Sequence, residues 1–124
     1  MGMKRVLVVD DSATVRQQVG MALKQAGYDV CEACDGLDGA QKIAGDGQIA
    51  MVICDVNMPR MDGLAMLEKV RADARRPTPP VIMLTTEGKP ELIQRAKSAG
   101  AKGWIIKPFK ADLLVAAVTK LVGA

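Results

Sequence analysis

The chain has 124 residues, of which 49% are apolar, and its 17 Lys and Arg against 14 Asp and Glu give a formal net charge of +3. This length suits one domain with one buried core, over residues 1–124. No stretch has the roughly 18–20 uninterrupted apolar residues of a membrane span, and the mixed charges lack the dense basic cluster with aromatics typical of nucleic-acid binding. The composition therefore argues against membrane and nucleic-acid partners.

Cysteine and histidine usage narrows the chemistry further. The chain has three cysteines, at positions 31, 34 and 54, and no histidine. An odd number of cysteines without a signal-peptide pattern predicts a reducing, cytoplasmic setting rather than a disulfide framework. Cys31 and Cys34 form a C-x-x-C string, but residues three apart in a predicted strand face opposite sides, which favours ordinary core or surface cysteines. Chemistry must rest on carboxylates, hydroxyls and lysines.

Five short β-branched runs are typical of strands. They cover residues 4–10, 29–34, 49–55, 80–85 and 102–107. The central runs are almost continuously apolar, which predicts strands that are covered on both faces.

Apolar residues at helical spacing follow each predicted strand. The predicted faces are Val15, Val19, Leu23 and Ala26; the segment 39–44; Leu64, Leu67 and Val70; Leu92, Ala96 and Ala99; and Leu113, Ala117 and Leu121. Asp11 or Ser12 can cap the first helix and Asp62 the third, while Gly27 and Gly100 are candidate C-terminal stops. Strict alternation with short links predicts a parallel sheet with helices on both faces.

In such a sheet, function belongs at the carboxyl ends of the strands. Asp10 and Asp11 follow the first predicted strand, Asp55 ends the third, Thr85 the fourth and Lys107 the fifth. Bare like charges ~4 Å apart cost about 4 kcal/mol at an effective dielectric of 20, so the acids need a cation. Oxygen ligands favour Mg²⁺, or Mn²⁺ in its place, over Zn²⁺. With the site neutralised, Asp55 is a candidate nucleophile on phosphorus.

Four strings carry a resemblance to a known family. They are Val-Val-Asp-Asp-Ser at 8–12, Asp-Val-Asn-Met-Pro-Arg-Met-Asp-Gly at 55–63, Thr85-Thr86, and Lys107-Pro108-Phe109. The chain resembles the receiver (response regulatory) domain of response regulators over residues 1–124, which leaves no residues for an output domain. The resemblance implies a flavodoxin-like (CheY-like) α/β fold with five parallel strands in the order 2-1-3-4-5 and five helices.

The resemblance also implies the roles of the residues at the predicted strand ends. Asp55 is the implied phosphoacceptor, and a histidine kinase supplies the phosphoryl group. Asp11 and Asp55 bind Mg²⁺ directly in the implied ligand set, Asp10 acts through water, and the Asn57 backbone carbonyl supplies another ligand. The Lys107-Pro108 peptide bond resembles one that is cis in the family.

The resemblance also implies which residues move on phosphorylation, called the switch residues here, and which set the lifetime of the phosphoryl group. In receivers the phosphorylated Asp draws Thr85 inward and an aromatic on the fifth strand follows, and Trp104 stands at that aromatic position. Asn57 and Glu87 border the phosphoryl group in the family and are implied to tune self-dephosphorylation.

Within the family, the chain is similar to stand-alone CheY-like chemotaxis regulators. The features that carry this similarity are Asn57-Met58-Pro59 and Glu87 two residues after Thr85. The implied partners are a CheA-like sensor histidine kinase and a downstream target protein, such as a flagellar-switch component, bound on the helix 4–strand 5–helix 5 surface. We expect a cytoplasmic monomer. Val56 departs from regulators with an aromatic at this position, so no individual protein is assigned.

Other functions stay open at this point. A phosphorelay shuttle or phosphate sink outside chemotaxis would use the same residues. A haloacid-dehalogenase-like phosphatase also uses an aspartyl nucleophile, but it needs a general-acid Asp where this chain has Asn57. A flavodoxin-like electron carrier binds a flavin phosphate after the first strand, where Asp10 and Asp11 would repel it. These comparisons favour a phosphoacceptor signalling protein over an enzyme.

Overall fold

Strands and helices alternate along the computed structural model, which describes residues 3–73 and 77–123. The strands are β1 (Arg5–Val9), β2 (Asp29–Ala33), β3 (Ile49–Cys54), β4 (Val81–Thr85) and β5 (Gly103–Ile106). The helices are α1 (Ala13–Gln25), α2 (Gly36–Gly45), α3 (Gly63–Ala72), α4 (Pro90–Ser98) and α5 (Ala111–Val122). All neighbouring strands pair in parallel, in the order β2-β1-β3-β4-β5. The predicted fold and strand order are confirmed.

Apolar side chains cover both faces of the sheet, as alternation along β1 illustrates. Val6 and Val8 belong to the cluster that includes α1 and α5, whereas Leu7 and Val9 belong to the cluster with α2, α3 and α4. All four are at most 1% exposed. Burying an aliphatic side chain of this size stabilises the fold by about 1.5–3 kcal/mol, so the central strands are fixed from both sides.

The helix caps follow the predicted chemistry with one correction. The Ser12 hydroxyl accepts a hydrogen bond from the Val15 N–H at 3.3 Å, and the Asp62 carboxylate accepts one from the Ala65 N–H at 2.7 Å. Ser12, not Asp11, is therefore the cap of α1. Gly27 and Gly100 both have φ of +94°, a left-handed conformation that glycine adopts without steric cost, directly after α1 and α4.

Helix α2 begins three residues earlier than predicted. The prediction started the helix at Gly39, whereas α2 begins at Gly36. The reason is Asp35, whose carboxylate accepts a hydrogen bond from the Asp38 N–H at 2.8 Å and so caps the helix. The first turn has two glycines and only one large apolar side chain, so the apolar periodicity becomes visible only after it.

The apolar face predicted for α5 was wrong. Leu113 is 62% exposed and Leu121 36% exposed, while Leu114 and Val118 are fully buried. Ala117 is half-buried against the same cluster. Most of this helix is apolar, so its periodicity allows two registers, and only packing on the sheet selects the face that contains Leu114 and Val118.

The three cysteines lie in three different environments. All three cysteines are free; Cys31 is half-buried in β2, Cys34 is exposed just after that strand, and Cys54 is buried at the end of β3. Within residues 3–73 and 77–123, no helix combines the length and the apolar character that crossing a bilayer requires.

Candidate functional site

The strand ends bring the predicted site residues to one edge of the sheet. The Asp55 N–H donates to the Val9 carbonyl at 3.0 Å, which sets Asp55 beside the end of β1 and its successor Asp10. The Lys107 N–H donates to the Thr85 carbonyl at 2.9 Å. Backbone hydrogen bonds thus place Asp55 beside Asp10, and Lys107 beside Thr85.

Three carboxylates form a cluster at this edge. One oxygen from each of Asp10, Asp11 and Asp55 lies within 4.8 Å of the others. Asp10 is 2% exposed and Asp55 9% exposed, whereas Asp11 is exposed. Crowded, partly desolvated carboxylates repel each other, so the cluster needs positive charge or hydrogen-bond donors around it.

Lys107 supplies part of that positive charge. Its Nζ donates to Asp10 Oδ2 at 2.8 Å and to Asp55 Oδ2 at 3.2 Å. Partial burial lowers the pKa of the Lys107 ammonium, but the hydrogen bond and charge of Asp10 and then those of Asp55 outweigh it, so the pKa is raised above its usual value. Lys107 is therefore a fixed cation that bridges two of the three acids. The Lys107-Pro108 bond is cis.

Backbone amides orient the same two carboxylates. The Ser12 N–H donates to Asp10 Oδ1 at 2.9 Å, and the Val56 N–H donates to Asp55 Oδ1 at 2.7 Å. Each buried carboxylate thus has one oxygen on an amide and one on Lys107. These contacts fix the orientation of both carboxylates.

The cluster fits a hard divalent cation. Octahedral Mg²⁺ binds oxygens at about 2.0–2.1 Å, which places neighbouring ligand oxygens about 3 Å apart and opposite ones about 4 Å apart. The three carboxylates are close to these dimensions. The chain has no histidine, and the nearby thiol of Cys54 is buried and donates to the Asp55 carbonyl at 3.1 Å. The donor set therefore suits Mg²⁺ or Mn²⁺ better than Zn²⁺.

Burial also makes the Cys54 thiol beneath the cluster unreactive. Removal from water, and then the charges of Asp55 and Asp10, raise the pKa of Cys54 well above its usual value. A thiol that stays protonated is neither a nucleophile nor a metal ligand. Cys54 is thus part of the core.

The loop that follows β3, residues 55–62, is held by close backbone contacts. We refer to it as the β3–α3 loop. The Gly63 N–H donates to the Val56 carbonyl at 2.9 Å, and the Gly36 N–H donates to the Met61 carbonyl at 2.9 Å. A Cβ on Gly63 would lie 1.9 Å from the Asp55 carbonyl oxygen, and one on Gly36 would lie 2.4 Å from the Met61 carbonyl oxygen. Only glycine fits at either position.

An ion pair that the sequence analysis missed closes the same loop. Arg60 has a φ of +65°; its Nε donates to Asp35 Oδ2 at 2.6 Å, and its Nη2 forms an ion pair with the same oxygen at 2.6 Å. Asp35 is 3% exposed. The backbone hydrogen bond from Asp38, followed by that from the Arg60 side chain, lowers the pKa of Asp35. The sequence signal was an Asp between a strand and Gly36, but its pairing with Arg60 had no local signature.

The loop that follows β4, residues 86–89, is organised by side chains instead. We refer to it as the β4–α4 loop. Thr85 is fully buried, and its hydroxyl accepts a hydrogen bond from the Glu87 N–H at 3.2 Å. The Trp104 indole Nε1 donates to the Glu87 carbonyl at 2.8 Å, and Asn57 Nδ2 donates to Glu87 Oε1 at 3.1 Å. Thr85 and Trp104, the predicted switch residues, and Asn57, predicted to tune self-dephosphorylation, are therefore all hydrogen-bonded to Glu87.

Comparisons with known proteins agree with this geometry. The family described as "Response regulator receiver domain" matches residues 6–119. Chemotaxis protein CheY1 of Helicobacter pylori is 40% identical over 111 residues, which cover 89% of this chain and 90% of that protein.

Two solved structures show the same fold. The chemotaxis protein CheY4 of Vibrio cholerae superposes with a TM-score of 0.88 at 39% identity, covering 97% of this chain and 99% of that one. The CheX–CheY–BeF₃–Mg²⁺ complex of Borrelia burgdorferi contains a chain with a TM-score of 0.86 at 29% identity, covering 94% of this chain and 87% of that one.

Proposed function

Given that the chain belongs to the response regulator receiver family, we propose that it takes a phosphoryl group from the phosphohistidine of a CheA-like sensor kinase onto Asp55. Its CheY-type relatives support a role in a chemotaxis phosphorelay. The observation that carries the proposal is Lys107, whose ammonium bridges Asp10 and Asp55 within a cluster of three carboxylates. A nucleophile, a fixed cation and a candidate metal site thus lie together.

The transfer step follows from the hydrogen bonds of Asp55. A carboxylate oxygen of Asp55 forms a bond to phosphorus while the phosphorus–nitrogen bond breaks, and the histidine nitrogen keeps the electron pair. The Val56 amide orients the carboxylate, and Lys107 is placed to attract the phosphoryl oxygens. Thr85 would donate its hydroxyl hydrogen to one of those oxygens.

The proposed metal ligands are Asp11 and Asp55 directly, Asp10 through water, and the Asn57 carbonyl. When bound, Mg²⁺ supplies positive charge that offsets the charge of the phosphoryl group. The carboxylate spacing and the all-oxygen donor set support this assignment. Mn²⁺ would substitute because it accepts the same ligands.

Intact mass tests the acceptor chemistry. The protein is incubated with Mg²⁺ and acetyl phosphate, alongside Asp55→Asn, the exposed-site control Asp112→Asn, and a sample with chelator. We expect one phosphoryl group on the wild type and on Asp112→Asn, and none on Asp55→Asn or with chelator. An equal adduct on Asp55→Asn, or no adduct on the wild type, would overturn the proposal.

The proposed output is binding of a target protein through α4, β5 and α5. Trp104 lies on β5, and two exposed apolar side chains, Ile106 (47%) and Leu113 (62%), supply hydrophobic contact area in β5 and α5. The Borrelia burgdorferi relative is a CheY in complex with CheX, which supports a protein target without identifying it. A flagellar-switch component is a further candidate.

Phosphorylation should strengthen target binding because it is proposed to draw Thr85 inward, with Trp104 on the target-binding surface moving after it. If phosphorylated wild type and Asp55→Asn bind a chemotaxis target equally, the chain is better described as a phosphorelay shuttle or phosphate sink. The free state of Cys31, Cys34 and Cys54 supports a reducing, cytoplasmic setting for this role. We propose that the protein works there as a monomer.

We also propose that Asn57 and Glu87 set the lifetime of the phosphoryl group. Asn57 lies three residues beyond the end of β3 and Glu87 two residues beyond the end of β4, and their side chains are hydrogen-bonded to each other at 3.1 Å. Their position at the border of the acceptor site supports an effect on the entry of water.

A further inference from the structure

Glu87 is the meeting point of three structural elements. Its N–H contacts Thr85 at the end of β4, its carbonyl accepts from the Trp104 indole on β5, and its carboxylate accepts from Asn57 in the β3–α3 loop. The three bonds use three different groups of one residue. A change at any one of these bonds therefore acts on the residue that makes the other two.

The Asn57–Glu87 pair lies on the solvent side of the acceptor residue. Asp55 directly follows β3, Thr85 ends the neighbouring parallel strand β4, and the two residues are 9% and 0% exposed. Asn57 and Glu87 come two residues later, where the two loops face water, and Asn57 is exposed. Their hydrogen bond joins the two loops, and under the function proposed above this contact limits the entry of water toward Asp55.

We propose that Trp104 is a positioning residue that slows the loss of the phosphoryl group from Asp55. This inference rests on the function proposed above. The indole N–H fixes the Glu87 carbonyl, and this contact keeps the Glu87 carboxylate against Asn57. In hydrolysis, a water oxygen bonds to phosphorus as the phosphorus–Oδ bond breaks. The Asp55 carboxylate keeps the electron pair, and the protons of water pass to inorganic phosphate and solvent.

The role requires a donor at position 104, which separates it from simple packing. An indole N–H is a donor only, and the Glu87 carbonyl is its acceptor at 2.8 Å. Trp104 also packs against the apolar cluster that includes α3 and α4, so its ring is held with or without the hydrogen bond. Replacement by phenylalanine keeps an aromatic ring and removes the donor.

The test measures release of inorganic phosphate after acetyl phosphate is removed by rapid desalting. We expect Trp104→Phe to release phosphate about fivefold faster than the wild type, the change that loss of one hydrogen bond allows. In a Glu87→Ala background, Trp104→Phe should add no further effect, since the connection is already cut.

Two further variants keep the result interpretable. Ile105→Val perturbs the neighbouring position of β5, whose side chain packs against the opposite apolar cluster from Trp104, and should release phosphate at the wild-type rate. If Trp104→Phe fails to fold, the analogue benzothienylalanine at position 104 keeps the bicyclic ring without the N–H, and the chain has only this one tryptophan to replace.

Several outcomes would overturn the inference. Unchanged or slower release from Trp104→Phe would show that the indole does not restrict water. A fivefold effect that persists in the Glu87→Ala background would show that Trp104 acts by another path. If the wild type itself forms no Mg²⁺-dependent adduct, it is the proposed function that fails.

Discussion

The β3–α3 loop and the β4–α4 loop both border Asp55, but they are held in different ways. The first is fixed by backbone contacts so close that glycine is required at Gly36 and Gly63, and by the buried end of an ion pair between Arg60 and Asp35. The second is held chiefly through the single residue Glu87, and α4 begins without a side-chain cap. The first loop therefore has rigid support, whereas the second depends on a few adjustable hydrogen bonds.

This difference matches the work that each loop is proposed to do. A nucleophile and a metal ligand need fixed positions, because small displacements weaken both coordination and in-line attack. A sensor needs two arrangements of similar free energy, which a few hydrogen bonds can select. Rigid support thus lies under Asp55 and Asn57, whereas the adjustable contacts lie beside Thr85 and Trp104.

Adding one methyl group against the β3–α3 loop, at the start of α3, and one within the β4–α4 loop gives the largest expected contrast. Gly63→Ala places a Cβ 1.9 Å from the Asp55 carbonyl oxygen and should lower the free energy of unfolding by about 3 kcal/mol. Gly88→Ala meets no atom nearer than 3.6 Å and should change it by less than about 0.5 kcal/mol. Urea denaturation of both variants measures the contrast, and equal losses would contradict the assignment of one rigid and one adjustable loop.

Substitutions at Arg60 separate backbone strain from the ion pair. Both Arg60→Ala and Arg60→Gly remove the contact with Asp35, but only glycine relaxes at a φ of +65°. Arg60→Gly should therefore be more stable than Arg60→Ala by about 1 kcal/mol. Chemical denaturation tests this difference. If the alanine variant is the more stable, the positive φ is not maintained in solution.

Acid should weaken the contact between the β3–α3 loop and α2 through Asp35. The folded-state pKa of this carboxyl is lowered by the Asp38 amide and then by Arg60, so its ionisation stabilises the fold. That contribution is complete above the unfolded pKa near 3.9 and is lost as pH falls through the lower folded value.

Asp35→Asn is the matched variant because asparagine also caps a helix but carries no charge. The wild type should melt at a higher temperature than this variant at pH 6, and the difference should shrink below about pH 4. A difference in melting temperature that stays constant from pH 6 to pH 3 would show that the charge of Asp35 does not support this loop.

The sequence predicted more of the fold than of the contacts between loops. All five strands, their order and the convergence of Asp10, Asp55 and Lys107 followed from hydrophobic runs, strand-end residues and a family resemblance. The start of α2 and the buried face of α5 did not, because a glycine-rich first turn masks periodicity and an apolar helix has two possible faces. The roles of the site residues stay predictions.

The contacts that distinguish the two loops had no signature in the sequence. Asp35 and Arg60 are 25 residues apart, and Trp104 and Glu87 are 17 apart. Their meeting depends on where whole strands and helices place them, which local patterns do not specify. The left-handed conformation of Arg60, within the 55–63 string, is visible only in the backbone angles and not in the sequence.

Hydrogen exchange of the two loops tests the central claim most directly. Exchange is measured by mass spectrometry on the wild type and Asp55→Asn with Mg²⁺, before and after addition of acetyl phosphate. We predict that the phosphodonor changes exchange over residues 86–89 of the wild type alone, while residues 56–61 keep the exchange of the Mg²⁺-bound state. A change confined to residues 56–61, or equal changes in both proteins, would contradict the division into a fixed loop and a sensing loop.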